Sequence, residues 1–113
     1  MGSVFKYVEY DNSPSLKALI KSMIKSQLFK ILPMKEENNE FLNEYLDSLF
    51  SELLGGLYVF EELTNNVEYI RILNTVRFLK EKECTVKQCK REVFKMINLA
   101  KKVYFDVTGE LYE

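Results

Sequence analysis

The chain has 113 residues, of which 47% are hydrophobic and 29% are charged, and its net charge is −1. This balance fits one small globular domain, and no stretch approaches the roughly 20 apolar residues of a membrane span. Histidine is absent, which excludes Ser-His or Cys-His nucleophile pairs and histidine zinc sites, so we expect no enzymatic activity, no metal and no cofactor.

The first predicted helix follows an N-terminal arm, residues 1–12, that lacks a secretory signal and whose residues 4–10 favour a strand. We therefore expect a cytoplasmic protein with a short extended segment at its N-terminus. Ser13 suits the N-cap of the helix and Pro14 its first turn, whereas Pro33 is expected to end it. One apolar stripe runs between them: Leu16, Leu19, Ile20, Met23, Ile24, Leu28 and Ile31.

The second predicted helix begins between Met34 and Asn39, and acidic residues near its start favour the positive end of the helix dipole. Its apolar stripe runs straight through Gly55 and Gly56, each of which costs about 1 kcal/mol in a helix interior. The glycines therefore predict either the close approach of another helix or a break, and a continuous helix, with or without a kink, is favoured. The stripe is Leu42, Tyr45, Leu46, Leu49, Leu53, Leu57 and Phe60.

The third and fourth predicted helices are separated by a turn near Glu83. Asn65 with Glu68 resembles the capping arrangement of the third, and Thr85 with Gln88 forms the capping box of the fourth. The two stripes are Tyr69, Ile72, Leu73, Val76 and Leu79, and then Val86, Cys89, Val93, Met96, Ile97, Ala100 and Val103. Residues 103–107 are also rich in strand-favouring types, so a short strand, paired with residues 4–10, is an alternative to the end of the fourth helix.

The cysteines flank the start of the fourth helix. Cys84 precedes the cap and Cys89 is the fourth helical residue, the two positions of a hydrophobic staple. Reduced, packed thiols are the favoured interpretation, and a redox switch is the alternative.

Together these elements predict an all-α fold, a four-helix antiparallel bundle formed by one domain over residues 1–113. The acidic second helix is expected beside the first, third or fourth, with the apolar stripes supplying most of the stability. Aromatic residues near the basic helices are expected to pack in the core, although they could also stack on bases: Tyr69, Phe78, Phe94, Tyr104 and Phe105.

Charge is sorted along the chain. Nine acidic residues and one lysine occupy positions 35–68, whereas ten basic and three acidic residues occupy positions 69–105. The candidate face for nucleic acid or an acidic partner comprises Lys87, Arg91, Lys95 and Lys102 with Lys17, Lys21 and Lys25. The candidate face for a basic partner comprises Glu36, Glu37, Glu40 and Glu44. Ordinary solvated helix faces are the alternative for both sets.

The function that these patterns favour is that of a small non-enzymatic binding protein acting through its charged helix faces. It would be a regulator or inhibitor of another protein, or a subunit of a larger complex. The alternative is a nucleic-acid-backbone-binding small helical subunit of a ribonucleoprotein. No membrane contact is expected. Association with a second copy is left open by Phe29, Phe50 and Tyr58, which lie at the margins of their stripes.

Overall fold

A computed structural model of the chain describes residues 13–112. Within that range the protein is built from helices and contains no strand, so the prediction of an all-α fold is confirmed. The α-helices are α1 (Ser13–Ser22), α2 (Ile31–Glu36), α3 (Leu42–Val59), α4 (Glu61–Thr64), α5 (Val67–Glu81) and α6 (Val86–Thr108), and a π-helical turn (Met23–Gln27) follows α1. The predicted extended arm, residues 1–12, lies outside the described residues.

The first predicted helix is divided, which is one reason why the helices outnumber the four expected. After α1 the backbone widens into the π-helical turn, where the Leu28 N–H donates to the carbonyl of Met23 at 3.2 Å. Pro33 does not end a helix but occupies the third position of α2, where its missing N–H would have no intrahelical partner. The apolar stripe survives these interruptions, since Met23, Leu28 and Ile31 are all fully buried.

The acidic segment after α2 is a loop and not the start of a helix. Glu36 is the last residue of α2, Glu37 its C-cap, and Glu40 lies in the following turn. The Oδ1 atom of Asn39 accepts a hydrogen bond from the Phe41 N–H at 2.8 Å, immediately before α3 begins at Leu42. The predicted start of the second helix was therefore several residues early.

The α3 helix is continuous through Gly55 and Gly56, as predicted. Close packing explains why glycine stands at position 56. Gly56 is buried beneath α5, and a Cβ atom there would stand 2.6 Å from the hydroxyl of Tyr69. Phe60 adopts an extended conformation after α3 but stays buried, and the single turn of α4 follows it. Asn66, one residue later than predicted, caps α5 by accepting a hydrogen bond from the Tyr69 N–H at 2.9 Å.

The entry to α6 confirms the predicted capping box. The Gln88 N–H donates to Thr85 Oγ1 at 3.1 Å and the Thr85 N–H donates to Gln88 Oε1 at 3.0 Å. Residues 103–107 are helical, which excludes the alternative of a short strand: α6 continues to Thr108 and ends at Gly109 in the left-handed conformation (φ 75°). Val86 was predicted to lie in the buried stripe of this helix, but it is 41% exposed.

The helices surround one core with α3 and α6 at opposite corners. The α5 helix packs against both of them, and the segment from α1 to α2 packs along α6. The same segment reaches α3 on its other side, where the Tyr45 hydroxyl donates to the carbonyl of Gln27 at 2.7 Å. The exposed faces of α3 and α6 therefore point in opposite directions. No helix among residues 13–112 is long and apolar enough to cross a membrane.

Candidate interaction faces

The exposed side of α6 is basic. The helix carries six basic and two acidic residues, and burial of its apolar stripe in the core turns all six outward. We call this surface the basic face; its cations are Lys87, Lys90, Arg91, Lys95, Lys101 and Lys102. A helix advances about 100° per residue, so Lys87, Phe94 and Lys101 form one line along its centre.

Aromatic side chains lie within the basic face. Phe94 is 42% exposed and Phe105, eleven residues later on the same side of the helix, is 47% exposed. Phe29, from the turn before α2, meets Phe94 edge to face with 5.9 Å between ring centroids. The expectation of core packing is thus confirmed for Tyr69 and Tyr104 and is wrong for Phe78, Phe94 and Phe105, which are exposed. Phe29 and Phe94 together form an apolar ridge among lysines.

A groove of about 410 Å³ separates the basic face from α5. Its cations are Arg71, Lys95 and Lys102, with Thr75, Asn98, Leu99 and Glu92 completing the lining. Lys95 lies 3.8 Å from Glu92 and Lys102 lies 3.3 Å from Glu68. Lys95 and Lys102 thus already have acidic neighbours.

Glu68 is held in its charged form at the edge of this groove. A hydrogen bond from its own backbone N–H, in the first turn of α5, keeps the pKa of its carboxyl below the ordinary value against the opposing effect of partial desolvation. Lys102 contributes in the same direction through its hydrogen bond and charge. Lys102 is therefore a less available cation than Lys87 and Arg91, neither of which has an ion-pair partner among residues 13–112.

The lysines predicted on the first helix divide between two environments. Lys17 is half-buried and lies 3.4 Å from Glu110, whereas Lys21 and Lys25 are exposed. The structure thus brings Lys17 to the C-terminal end of α6 and leaves the other two on the surface of the neighbouring segment.

The acidic residues lie on α3 and on the loop that precedes it. Glu36, Glu37 and Glu40 are exposed at the α2–α3 loop, and Glu44 lies in the first turn of α3. No basic residue occurs between Lys35 and Arg71. The exposed acids of α3 itself are Glu44, Asp47 and Glu52, and we call the surface around them the acidic face.

One ion pair joins the acidic face to a neighbouring helix. Lys80 of α5 donates to Asp47 at 2.7 Å, and this hydrogen bond raises the pKa of Lys80. Glu52 instead accepts a hydrogen bond from Gln27 at 3.0 Å. The acidic helix was expected beside the first, third or fourth predicted helix, and it lies beside the first and the third. The basic residues of α6 remain exposed.

The two cysteines are unpaired thiols at the start of α6. Cys89 is buried, Cys84 is half-buried, and neither forms a disulfide. Burial raises the pKa of the Cys89 thiol, which disfavours the thiolate. Within the described residues no cluster of acidic or cysteine side chains could hold a metal ion.

The predicted sets omitted Lys90 and Lys101 of α6 and Asp47 and Glu52 of α3, although all four follow helical spacing. Two further residues had no such pattern, Arg71 and Phe29. Both come from other helical segments and reach α6 only through tertiary packing, so spacing along α6 gave no signal for them. Phe94 carried a local signal, because it stands seven residues from both Lys87 and Lys101.

Fold and surface together define a small all-α protein with two oppositely charged helix faces. Comparison of the chain with protein-family models, with curated proteins and with solved structures finds no match. Its function must therefore be argued from these surfaces.

Proposed function

We propose that the protein is a non-enzymatic binding protein whose basic face docks on an acidic surface of another protein, as a regulator or as a subunit of a complex. The observation that carries the proposal is the exposed ridge of Phe29 and Phe94 set among the lysines of α6, with Phe105 exposed further along the helix. Protein interfaces combine an aromatic centre, which supplies much of the affinity, with a charged rim that sets specificity and association rate.

The arrangement of Phe29 and Phe94 supports this use. Their edge-to-face contact fixes the Phe94 ring in place while leaving about two-fifths of each side chain exposed. An ordered aromatic ring loses less conformational entropy on binding than a mobile one. The ridge is thus prepared to enter a pocket, with Lys87 and Arg91 available to pair with carboxylates at its edge.

The test is affinity capture from a nuclease-treated extract of the native host, with two charge-reversed variants. Lys87→Glu with Arg91→Glu alters the basic face, whereas Arg77→Glu with Lys82→Glu makes the same charge change at exposed positions outside α6. We expect a protein that is retained by the wild type and the control variant and lost by the basic-face variant. Equal retention by all three would exclude the basic face as the docking surface.

Nucleic-acid backbone binding is the second candidate, and the groove between α5 and α6 favours it. Arg71, Lys95 and Lys102 approach one another there, beside the amide of Asn98. Such a cluster can follow phosphates, and its affinity would fall steeply with salt because bound counterions are released.

Fluorescence anisotropy with labelled single-stranded RNA and duplex DNA tests this candidate at about 50 mM salt, where backbone binding is strong. Binding that weakens steeply at about 200 mM salt and is lost in Arg71→Glu would support it. Absence of binding to both probes at the lower salt concentration would exclude it.

A further inference from the structure

We propose that the acidic face of one copy of this protein docks on the basic face of a second copy, so that the chains associate head to tail. This inference rests on the proposed function, in which the basic face recognises an acidic protein surface, and it names that surface. The partner of Lys87, Arg91 and Phe94 is then the α3 helix of another copy.

The position of the two faces is the first argument. Since α3 and α6 stand at opposite corners of the bundle, the acids of α3 and the cations of α6 in one chain do not reach each other. Only Asp47 among the acids of α3 forms an ion pair with a neighbouring helix within residues 13–112. The acidic and basic faces of separate copies can meet, and the complementary charges would steer their encounter.

The shape of the acidic face is the second argument. Its centre carries small residues, Ser48, Ser51 and Gly55, at steps of three and four that place them on one side of α3. Tyr58, 83% exposed, continues the line at the end of the helix. A strip of small side chains bordered by carboxylates and ended by an exposed ring is the counterpart of an aromatic ridge bordered by lysines.

Gly55 is an independent observation in favour of an external neighbour. A Cβ atom at this position would meet nothing within 4 Å, and its φ is not positive, so the fold itself does not require glycine here. A glycine in a helix interior nevertheless costs about 1 kcal/mol relative to alanine. Close approach of a second chain gives this residue a role that the isolated chain does not.

The size of the contact indicates how strong the association is. The 18 residues of α3 span about 27 Å, and a strip about 10 Å wide would bury roughly 300 Å² per copy. That area lies below the range of stable dimers, so the association is weak, concentration-dependent and sensitive to salt. Each added copy leaves one acidic face and one basic face uncovered at the ends of the assembly. Further copies bind there, so the chains extend beyond a dimer.

The experiment uses two matched neutral variants and sedimentation equilibrium of the full chain. The basic-face variant combines Lys87→Gln, Arg91→Gln and Phe94→Ala. The acidic-face variant combines Glu44→Gln, Glu52→Gln and Tyr58→Ala. Each variant removes two charges and one ring from exposed positions, and far-UV circular dichroism verifies that both keep the wild-type helix content.

The wild type is expected to increase in average mass with concentration at about 20 mM salt and to be monomeric at about 500 mM. Each variant alone is expected to be monomeric at both salt concentrations, because it lacks one of the two faces. An equimolar mixture of the variants is expected to form dimers and nothing larger, because only one intact acidic face and one intact basic face remain per pair.

Three results would overturn the inference: a wild type that stays monomeric at low salt, a single variant that associates as the wild type does, or a mixture that stays monomeric. A monomeric wild type whose basic face still captures another protein would leave the proposed function standing and exclude only self-association. A wild type that neither associates with itself nor captures another protein would contradict both the self-association and the proposed function.

Discussion

Gly56 is a residue at which the helices pack closely. A Cβ atom there would stand 2.6 Å from the Tyr69 hydroxyl and 3.1 Å from Leu19 Cδ2. Tyr69 is fully buried and its hydroxyl donates to the carbonyl of Leu53, so it cannot easily move aside. We expect Gly56→Ala to lower the free energy of unfolding by about 1–3 kcal/mol in urea denaturation, as overpacking of a core does.

The adjacent glycine provides the matched control. Gly55→Ala meets no atom of the chain and gains helix propensity, so it should raise the free energy of unfolding by up to about 1 kcal/mol. Tyr69→Phe in the Gly56→Ala protein should cost less than it does alone, since removal of the hydroxyl makes room for the methyl group. Equal stability of the two alanine variants would show that Gly56 is not a close-packed position.

The two cysteines should differ in reactivity by their burial. We expect iodoacetamide at about pH 8, near the ordinary pKa of a cysteine, to modify the half-buried Cys84 before the buried Cys89, whose pKa is raised by burial. Mass spectrometry of the alkylated protein measures both rates, and Cys84→Ser isolates that of Cys89. Equal rates in a protein that remains folded would contradict the assignment of Cys89 to the core.

At the scale of the elements, the capping box of α6 should have a measurable effect. Thr85→Ala removes the acceptor for the Gln88 N–H, and we expect it to lower the free energy of unfolding by about 1 kcal/mol. Thr75→Ala, inside α5, removes only a hydroxyl that donates back to the Arg71 carbonyl and should change stability by less than about 0.5 kcal/mol. A similar loss in both variants would mean that the cap adds nothing.

Local signals explain which elements were predictable from the sequence. The Thr85–Gln88 box was found because both of its partners lie within one turn of helix. Pro33 misled because a proline near the end of one apolar stripe is also acceptable in the first turn of a new helix. Whether Pro33 ends one helix or lies in the first turn of the next depends on the π-helical turn before it. That turn changes the register of the chain and carries no sequence signal of its own.

Tertiary packing decides between helix and strand at residues 103–107. Val103 and Tyr104 favour strands in isolation, yet both are buried against the other helices as part of the stripe of α6. Burial of an amphipathic helix outweighs the few tenths of a kcal/mol by which such residues disfavour it. The helix ends only where Gly109 adopts positive φ, which glycine tolerates best.

The candidate faces were predictable to the extent that they follow helical spacing. Lys87 and Arg91 lie on the exposed side of α6, as their four-residue step indicates. The groove beside them required Arg71 from α5, and the apolar ridge required Phe29 from before α2. These partners are distant in sequence, so only the packing of the bundle brings them together.

At the scale of the whole molecule, the sorting of charge along the chain becomes a sorting in space. The acidic run from Glu36 to Glu68 is confined largely to α3, α4 and their loops, whereas α6 carries the densest positive charge. The short links between α3, α4 and α5 hold this polarity in place, because α4 is anchored by Leu63, which is fully buried. The two-faced surface thus depends on a core shared by all the helices.

A shared core predicts that the helices unfold together, and α4 is the most demanding test because it has only four residues. We expect Leu63→Ala to lower the free energy of unfolding by about 2–5 kcal/mol, the cost of emptying a buried leucine site. Urea transitions followed by far-UV circular dichroism, which reports the helices, and by near-UV dichroism, which reports packing around Tyr69, should still coincide, with an unchanged m-value. If α4 were instead a locally unfolding link, the substitution would leave the main transition in place and separate the two probes. That result would also weaken the argument for fixed, opposed faces, since the acidic side would then move relative to α6.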